Sequence, residues 1–345
     1  MRIPSLLEKK LNLKSMKLLI VDGNDFSRSF TRKVCLAFKF EKILTASTST
    51  DALTSLQSNE IDMVIMDWML EPEPGSALVR HIRRTPGIRN PFVPVIVLSS
   101  TSDKETIAEV RDAGANEFMA RPFELRQLLG RFTQILLSPR AFIRSATYIG
   151  PDRRRQQREF EGEDRRIAGK KSEIRPPGVA AATQKAGAAG GITVKTMVEA
   201  GEKVIIAEEK RYTEVRDQDL QVLATLFQKL RQATAPDKDT IGQIYYRAAG
   251  LKAMGQTFGF PLLTQAGDSL CRMLWKMPTE KTIAPMTIQG IDAHLKTMRL
   301  IVDQNIKHDG GKIGTDLIAG LRSLALKVVP NENFASEDLG DSTFA

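Results

Sequence analysis

The chain has little cysteine and no long apolar run. Its two cysteines, Cys35 and Cys271, lie far apart in 345 residues, with neither metal-ligand spacing nor a disulfide pattern. Both are expected to be reduced, buried core residues. No run reaches the roughly 18 apolar residues of a membrane span, and lysines interrupt the apolar residues near the N-terminus. Neither membrane spanning nor secretion is indicated, and we expect a cytoplasmic protein.

The sequence also lacks the motifs of common enzymes. It has no glycine-rich ATP-binding loop and no kinase catalytic segment. None of its three histidines has Cys, His, Asp or Glu at the spacing of a zinc or hydrolase site. His81 and His308 are predicted on a surface helix and in a loop, and His294, next to the core-facing Leu295, is predicted to point to solvent. An autonomous enzyme is therefore not expected.

The chain is long and basic. With 345 residues, 42% of them hydrophobic, it can form two domains with separate cores. The formal net charge of +9 would suit an acidic partner, but much of the basic character lies in residues 139–212. That stretch has too little apolar surface to offset chain entropy, which predicts a basic flexible linker. Its arginines alternate with acidic residues and lack a base-stacking aromatic platform, so no specific nucleic-acid binding is expected.

Residues 16–138 alternate between strand-like and helix-like patterns. Five short apolar runs are each followed by a helical pattern, at about residues 17–21, 42–45, 61–67, 94–100 and 117–120. Five βα units of this kind predict a parallel sheet that is covered by helices on both faces.

Polar residues follow four of these strands where each strand ends: Asp22, Asp67, Ser99 and Arg121. Because parallel strands share one carboxyl edge, the four side chains are expected to converge. This grouping suits phosphoryl transfer to Asp67, with the hydroxyl and the cation stabilising the phosphoryl oxygens. The alternative is that these are ordinary loop residues and that Asp67 caps a turn.

Together these residues resemble the receiver domain of two-component response regulators. The resemblance rests on Leu-Ile-Val-Asp ending at Asp22, on Asp67 with Gly75 eight residues later, and on the segments 94–99 and 114–123. It implies a flavodoxin-like, doubly wound, five-stranded parallel sheet with strand order 2-1-3-4-5. It also implies a phosphodonor histidine on another protein, either a sensor histidine kinase or a histidine phosphotransfer protein.

The resemblance assigns roles to the site residues. Asp67 would be the phosphoacceptor, and Ser99 and Phe118 would be the switch residues. Arg121, joined to Pro122 by a cis peptide, would place the cation in the site. The face formed by the fourth helix, fifth strand and fifth helix would then change its partners on phosphorylation.

The resemblance further implies a magnesium site, from which this sequence departs. Mg²⁺ would be held by Asp22, Asp67 and the backbone carbonyl of Met69. Family members usually carry an acidic pair after the first strand, and here the second position is Gly23. Loss of one carboxylate should weaken Mg²⁺ binding unless Asp25 reaches back, and Asp25 has the alternative role of capping the first helix.

Arg121 is a second departure, because the family carries a lysine there. A planar guanidinium is not equivalent to a compact ammonium group. Phosphorylation of Asp67 is therefore one hypothesis, and a domain that holds one state permanently is the other. The second hypothesis predicts a phosphorylation-independent pseudo-receiver that acts as an adaptor or decoy in the same signalling system.

A second folded region is predicted at residues 213–308. Four amphipathic stripes with short connections predict an antiparallel, all-α four-helix bundle, at about residues 217–230, 239–254, 261–277 and 287–306. Residues 309–345 are predicted to form a short helix and a disordered tail.

Within this region, the segment from Ala249 to Ala253 resembles the motif of histidine phosphotransfer (Hpt) domains. That motif is the phosphorylated histidine, any residue, and then Leu-Lys-Gly, and here the histidine position is Ala249. Without an imidazole the position cannot transfer a phosphoryl group. The module is instead expected to bind other signalling proteins. A DNA-binding regulator is a third alternative, but the four-helix pattern with its turn at residues 257–261 argues against it.

Overall fold

The structure is a computed structural model of the chain, and it describes residues 5–70, 73–100, 103–153, 172–174, 177–233, 237–276 and 283–330. The chain divides into two units, the first ending at Ile206 and the second beginning at Ala207. Residues 154–171 of the predicted linker and the predicted disordered tail from residue 331 lie outside the described residues.

The first unit is built on a five-stranded parallel sheet. After a two-residue strand β1 (Lys10–Leu11), the sheet strands are β2 (Lys17–Val21), β3 (Lys42–Ala46), β4 (Met63–Asp67), β5 (Val95–Ser99) and β6 (Glu117–Ala120). Their spatial order is β3-β2-β4-β5-β6. Counted among the five sheet strands alone, this is the predicted order 2-1-3-4-5. The flavodoxin-like prediction is confirmed. The central strands β4 and β5 are apolar up to their last residues, because helices cover both faces of the sheet.

Five helices alternate with these strands: α1 (Asp25–Ala37), α2 (Ser49–Ser58), α3 (Gly75–Arg84), α4 (Lys104–Ala113) and α5 (Leu125–Leu137). Three of them begin at a side-chain cap, in which Asn24, Thr48 or Asp103 accepts a hydrogen bond from the N–H three residues ahead. These caps, together with the apolar strands, explain why the alternating pattern could be recognised in the sequence.

The first part of the predicted linker is folded. β7 (Phe142–Arg144) and β8 (Ile149–Pro151) form an antiparallel hairpin, and β9 (Ser172–Ile174) pairs with the other side of β7. Phe142 is fully buried, and the guanidinium of Arg83 lies 5.2 Å from the centroid of its ring. The flexible-linker prediction is wrong for these residues because a few well-placed contacts with the sheet unit hold a short segment that has little apolar surface of its own.

The last part of the predicted linker is helical. α6 (Pro177–Gly187) packs on α5 with Ala182 and Ala186 buried, and β10 (Ile192–Thr193) pairs antiparallel with β1. Lys185 forms an ion pair with the buried Asp62, with 2.7 Å between Nζ and Oδ1. The alanine-rich sequence led to the prediction of a flexible linker. That prediction is wrong here because small side chains let α6 approach α5 closely. The helix α7 (Val194–Gln232) then begins in the first unit, and its residues from Ala207 onward belong to the second.

The second unit is all-α, as predicted. After α7 come α8 (Lys238–Gly255), a short turn of 3₁₀ helix (Gln256–Phe258), α9 (Pro261–Lys276), α10 (Pro285–Asp303) and α11 (Gly311–Val328). α9 packs against α8, α10 and α11. The predicted short helix is wrong in length, since α11 has 18 residues and buries Ile318, Leu321 and Ala325. None of the helices in the described ranges is both long and apolar enough to cross a membrane.

His294 is buried, which contradicts its predicted orientation toward solvent. Its Nδ1 donates to the Gly290 carbonyl oxygen at 2.6 Å, so its Nε2 accepts from the Ser269 hydroxyl at 2.8 Å. The buried stripe of α10 runs through Ile291, His294 and Met298, while Leu295 is only partly buried. The prediction failed because it placed Leu295 on that stripe.

Both cysteines are buried and unpaired, as predicted. Cys35 lies in α1 and Cys271 in α9, and neither has more than 1% of its surface exposed. Burial disfavours the charged thiolate and therefore raises the pKa of both thiols. Both residues contribute to packing and are not reactive groups.

Candidate functional site

Asp67 ends β4 at the carboxyl edge of the sheet and is half-buried. Its Oδ1 accepts a hydrogen bond from the N–H of Trp68 at 2.9 Å. Burial disfavours the ionised carboxylate and raises the pKa of Asp67; the positive charge of Arg121 opposes this effect and the negative charge of Asp22 adds to it. The result is a pKa of about 7. Near neutral pH both protonation states of this carboxyl group are therefore populated.

Asp22 lies directly after β2 and is held by three hydrogen bonds to its carboxylate. Oδ1 accepts from the N–H of Asn24 at 2.9 Å. Oδ2 accepts from the Ser27 hydroxyl at 2.6 Å and from Nη2 of Arg121 at 2.9 Å. A second nitrogen of Arg121, Nη1, donates to the Ser27 oxygen at 2.5 Å. These contacts form a closed cluster, the Asp22–Ser27–Arg121 triad, whose two charged side chains are almost completely buried.

The triad explains where the predicted cation lies. Arg121 follows β6, and the peptide bond between Arg121 and Pro122 is cis. The hydrogen bonds of its guanidinium described above go to Asp22 and Ser27, and it acts on Asp67 through its charge. Sequence reasoning brought Arg121 to the correct edge but did not identify Ser27. The sequence did carry information on Ser27: Asn24 is a favoured N-cap residue, and an N-cap there places Ser27 in the first turn of α1, beside the end of β2.

Ser99 and Phe118 lie on the two strands beyond β4. Ser99 is the last residue of β5, one position beyond Leu98, which pairs with Asp67. Phe118 lies within β6 and is fully buried in the core between the sheet and its helices. The structure thus brings Ser99 to the same edge as Asp67, while Phe118 belongs to the core.

Asp25 does not reach the site. Its side chain is 87% exposed and forms an ion pair with Arg28, and it is the first residue of α1. The helix cap predicted for Asp25 belongs to Asn24, which accepts a hydrogen bond from the N–H of Ser27 at 2.9 Å. Neither of the two roles considered for Asp25 is therefore present.

Comparison with known proteins identifies this part of the chain. The family model "Response regulator receiver domain" matches residues 18–133. These residues are a receiver domain. KdpE, a transcriptional regulatory protein of Staphylococcus aureus, is 29% identical over 119 residues, which are 34% of this chain and 49% of KdpE. The chemotaxis protein CheY-3 of Vibrio cholerae is 28% identical over 122 residues, covering 35% of this chain and 92% of CheY-3.

Two solved receivers also match. CheY4 of Vibrio cholerae has 23% identity and a TM-score of 0.33, covering 35% of this chain and 98% of CheY4. The receiver domain of the sensor histidine kinase PA1611 from Pseudomonas aeruginosa has 24% identity and a TM-score of 0.31, covering 34% of this chain and 94% of its own. The PA1611 domain was solved with magnesium coordinated in its active-site cleft. The matched part of this chain spans about half the length of KdpE.

The residues of this receiver domain do not fit the magnesium site expected from the family. Gly23 offers no carboxylate, and the carboxylate of Asp25 is paired with Arg28. Asp22 is neutralised by Arg121, which leaves Asp67 and the Met69 carbonyl of the expected ligands. Across the described ranges, no three or more His, Cys, Asp or Glu side chains are grouped so that they could hold a metal ion. Mg²⁺ prefers several oxygen ligands with a charge that offsets its own, which this set does not supply.

The Hpt-like motif of the second unit is buried rather than presented. Ala249, at the position of the missing histidine, is 6% exposed. Lys252 is also buried and forms an ion pair with Asp268, with 2.5 Å between Nζ and Oδ1. Ala249 carries no imidazole, so this position cannot transfer a phosphoryl group.

Proposed function

We propose that this chain is a two-component signalling protein that receives a phosphoryl group on Asp67. The donor is a phosphohistidine on a sensor histidine kinase or on a histidine phosphotransfer protein. One observation carries the proposal: Asp67 is the half-buried carboxylate at an edge where Asp22, Ser99 and Arg121 are all buried. A partner's phosphoryl group can therefore approach Asp67 and then meet a hydroxyl and a cation behind it.

The proposed transfer needs only groups that the two proteins supply. A carboxylate oxygen of Asp67 attacks phosphorus, the phosphorus–nitrogen bond breaks, and its electron pair stays on the partner's imidazole. The negative charge on the phosphoryl oxygens is offset by Arg121 and by a hydrogen bond from Ser99. Asp67 must be ionised to attack, and its pKa of about 7 leaves a reactive fraction at neutral pH.

The proposed output is a change in protein–protein contacts. Phosphorylation shifts the domain between two states through Ser99 and Phe118, and the face formed by α4, β6 and α5 changes its binding partners. The helical unit supplies a second binding surface. The chain has no catalytic activity of its own in this proposal, and it works in the cytoplasm without membrane insertion or specific nucleic-acid binding.

A second candidate function is a phosphorylation-independent adaptor or decoy. The hydrogen-bonded ion pair between Asp22 and Arg121 favours it, because the cation that would meet a phosphoryl group is already paired. A domain locked by this pair would present one binding surface permanently and occupy its partners without a switch.

Intact-mass measurement after incubation of the full chain with a small phosphodonor distinguishes the two. A gain of one phosphoryl group that is lost in Asp67→Asn supports the switch. The matched control is Asp316→Asn, which removes an exposed aspartate from α11. Folded protein that gains no mass, either from the small donor or from a phosphorylated partner kinase, would favour the permanent adaptor.

A further inference from the structure

We infer that Arg121 takes the place of the divalent metal in this receiver domain, so that the site works without Mg²⁺. The phosphorylation arm of its test rests on the proposed function, whereas the metal-binding arm does not. Three features of the site support this inference: the occupied lone pairs of Asp22, the position of the buried positive charge, and the small negative charge that remains available to a metal.

The carboxylate of Asp22 has little left to offer a metal. A carboxylate has about four lone-pair positions. Three hydrogen bonds from Asn24, Ser27 and Arg121 occupy three of them, including both on Oδ2. A magnesium ion bound at Asp22 would have to displace these donors or use the single remaining position on Oδ1.

The guanidinium of Arg121 already pairs with the carboxylate that a metal would need. It lies 2.9 Å from Oδ2 of Asp22, and both side chains are almost completely buried. An arginine cannot lose its proton under ordinary conditions, so its charge is permanent. A dication ligated by Asp22 would sit a few ångströms from that charge in an environment that screens poorly, and the repulsion would oppose binding.

The remaining charge is too small for a dication. Asp22 and Arg121 cancel each other, and position 23 is a glycine. Asp25 is exposed and paired with Arg28, so it adds nothing to the site. Asp67 is then the single net negative group among the expected ligands, whereas tight Mg²⁺ sites combine carboxylates with further oxygens in near-octahedral geometry.

Ser27 is the positioning residue that holds the cation in place. Its hydroxyl donates to Asp22 and accepts from Nη1 of Arg121, while Nη2 of the same guanidinium binds Asp22 directly. The two nitrogens of a rigid fork thus bind two acceptors at once, which a lysine ammonium would not do in the same fixed geometry. The arginine and Ser27 act together, which explains why this domain carries both.

The test is metal binding by the unphosphorylated full chain, with Mn²⁺ as a paramagnetic substitute for Mg²⁺. Free Mn²⁺ gives an electron paramagnetic resonance signal, and the loss of this signal measures the bound metal directly. We expect no saturable site up to about 10 mM, a range in which ordinary carboxylate sites for Mg²⁺ would fill. The double variant Gly23→Asp/Arg121→Lys should gain a saturable site whose dissociation constant is at least about tenfold below that 10 mM limit. Should that variant fail to fold, the titration of the unaltered chain still decides.

A saturable site in the unaltered chain that Mg²⁺ displaces and Asp22→Asn removes would overturn the inference. Ser27→Ala should loosen the cation and produce measurable Mn²⁺ binding, while Ser29→Ala, two residues along α1, should bind no more Mn²⁺ than the unaltered chain. Equal affinities in these two variants would refute the positioning role of Ser27.

The second arm follows phosphorylation of Asp67 in the unaltered chain, with Mg²⁺ and with a chelator. We expect the two rates to agree within about twofold, since no metal takes part. A loss of about tenfold or more with the chelator would overturn the inference. If no phosphorylation occurs under either condition, the proposed switch fails, and the metal titration alone decides the role of Arg121.

Discussion

Gly75 lies against the backbone of Asp67 and Trp68, and a β-carbon at this position would lie 2.6 Å from the carbonyl oxygen of Asp67. Its N–H also donates to the carbonyl oxygen of Trp68 at 2.7 Å. Because this neighbour is backbone, it cannot move aside as a flexible side chain would. The first residue of α3 is therefore part of what fixes the position of Asp67.

Gly75→Ala should consequently destabilise the first unit by about 1–3 kcal/mol, the usual cost of overpacking a close contact. Urea unfolding followed by circular dichroism measures the loss. Gly187→Ala at the end of α6 is the control, since no atom lies within 4 Å of a β-carbon there. Equal stability of the two variants would show that the contact at Gly75 relaxes freely.

The Asp22–Arg121 pair should be strongly coupled. Arg121→Met leaves the carboxylate of Asp22 buried without its cation, which costs about 3–5 kcal/mol in comparable pairs. Asp22→Asn/Arg121→Met should cost less than the sum of the single changes, because neither charge then remains uncompensated. Additive losses in a double-mutant cycle by chemical denaturation would contradict the coupling.

The matched control for this cycle is the pair of Asp292 and Lys296 on α10. Nζ of Lys296 lies 2.7 Å from Oδ2 of Asp292, but the lysine side chain is 76% exposed. An exposed pair of this kind should couple by about 0.5 kcal/mol or less. The contrast between the two cycles separates the effect of burial from that of distance.

His294 should make stability depend on pH in the mildly acidic range. Burial disfavours the charged imidazolium and lowers the pKa of His294 from 6.5 to about 4, while the unfolded chain keeps the ordinary value. Between these values the unfolded chain binds a proton that the folded chain does not. The contribution of His294 to the free energy of unfolding is therefore fully present above pH 6.5. It falls as the pH is lowered toward 4, by up to about 3 kcal/mol.

Denaturant unfolding from pH 8 to pH 4, compared with His294→Gln, isolates this contribution. The difference in the free energy of unfolding between the unaltered chain and His294→Gln should change across the acidic range, since the variant has no titrating group at this position. The variant His308→Gln, at an exposed position, should follow the unaltered chain. A difference curve for His294→Gln that stays flat would contradict the assignment.

Docking of α6 on α5 can be tested at Ala186, which is 1% exposed. Ala186→Glu places a carboxylate in that contact and should release α6, so its amides should exchange with deuterium far faster. Gln184→Glu adds the same charge at an exposed position of the same helix and should leave exchange unchanged. Equal protection in both variants would mean that α6 is not held through Ala186.

Much of the first unit could be predicted because its signals are local. The strand runs are apolar on both faces, and Asp22, Asp67, Ser99 and Arg121 each follow a strand, so parallel topology alone brings them to one edge. The partner of Arg121 could not be predicted this way. Arg121 binds Asp22 together with the Ser27 hydroxyl of α1, and the positions of the strand ends give no information about α1.

The remaining errors arose where long-range contacts decide the structure. Phe142 and Ala186 are buried by partners in distant segments, so no periodic pattern in the neighbouring sequence marks them. His294 was assigned to the wrong face because two overlapping apolar stripes on α10 differ by one residue. In each case tertiary packing overrode a reasonable local preference.

The burial of both cysteines has a practical consequence for solution studies. Thiol reagents need a solvent-accessible thiolate, and neither Cys35 nor Cys271 offers one while the chain is folded. The native cysteines should therefore not react with the reagents used for site-directed labelling. A single reporter cysteine introduced on an exposed position can carry a spin label or a fluorophore without prior removal of the native thiols.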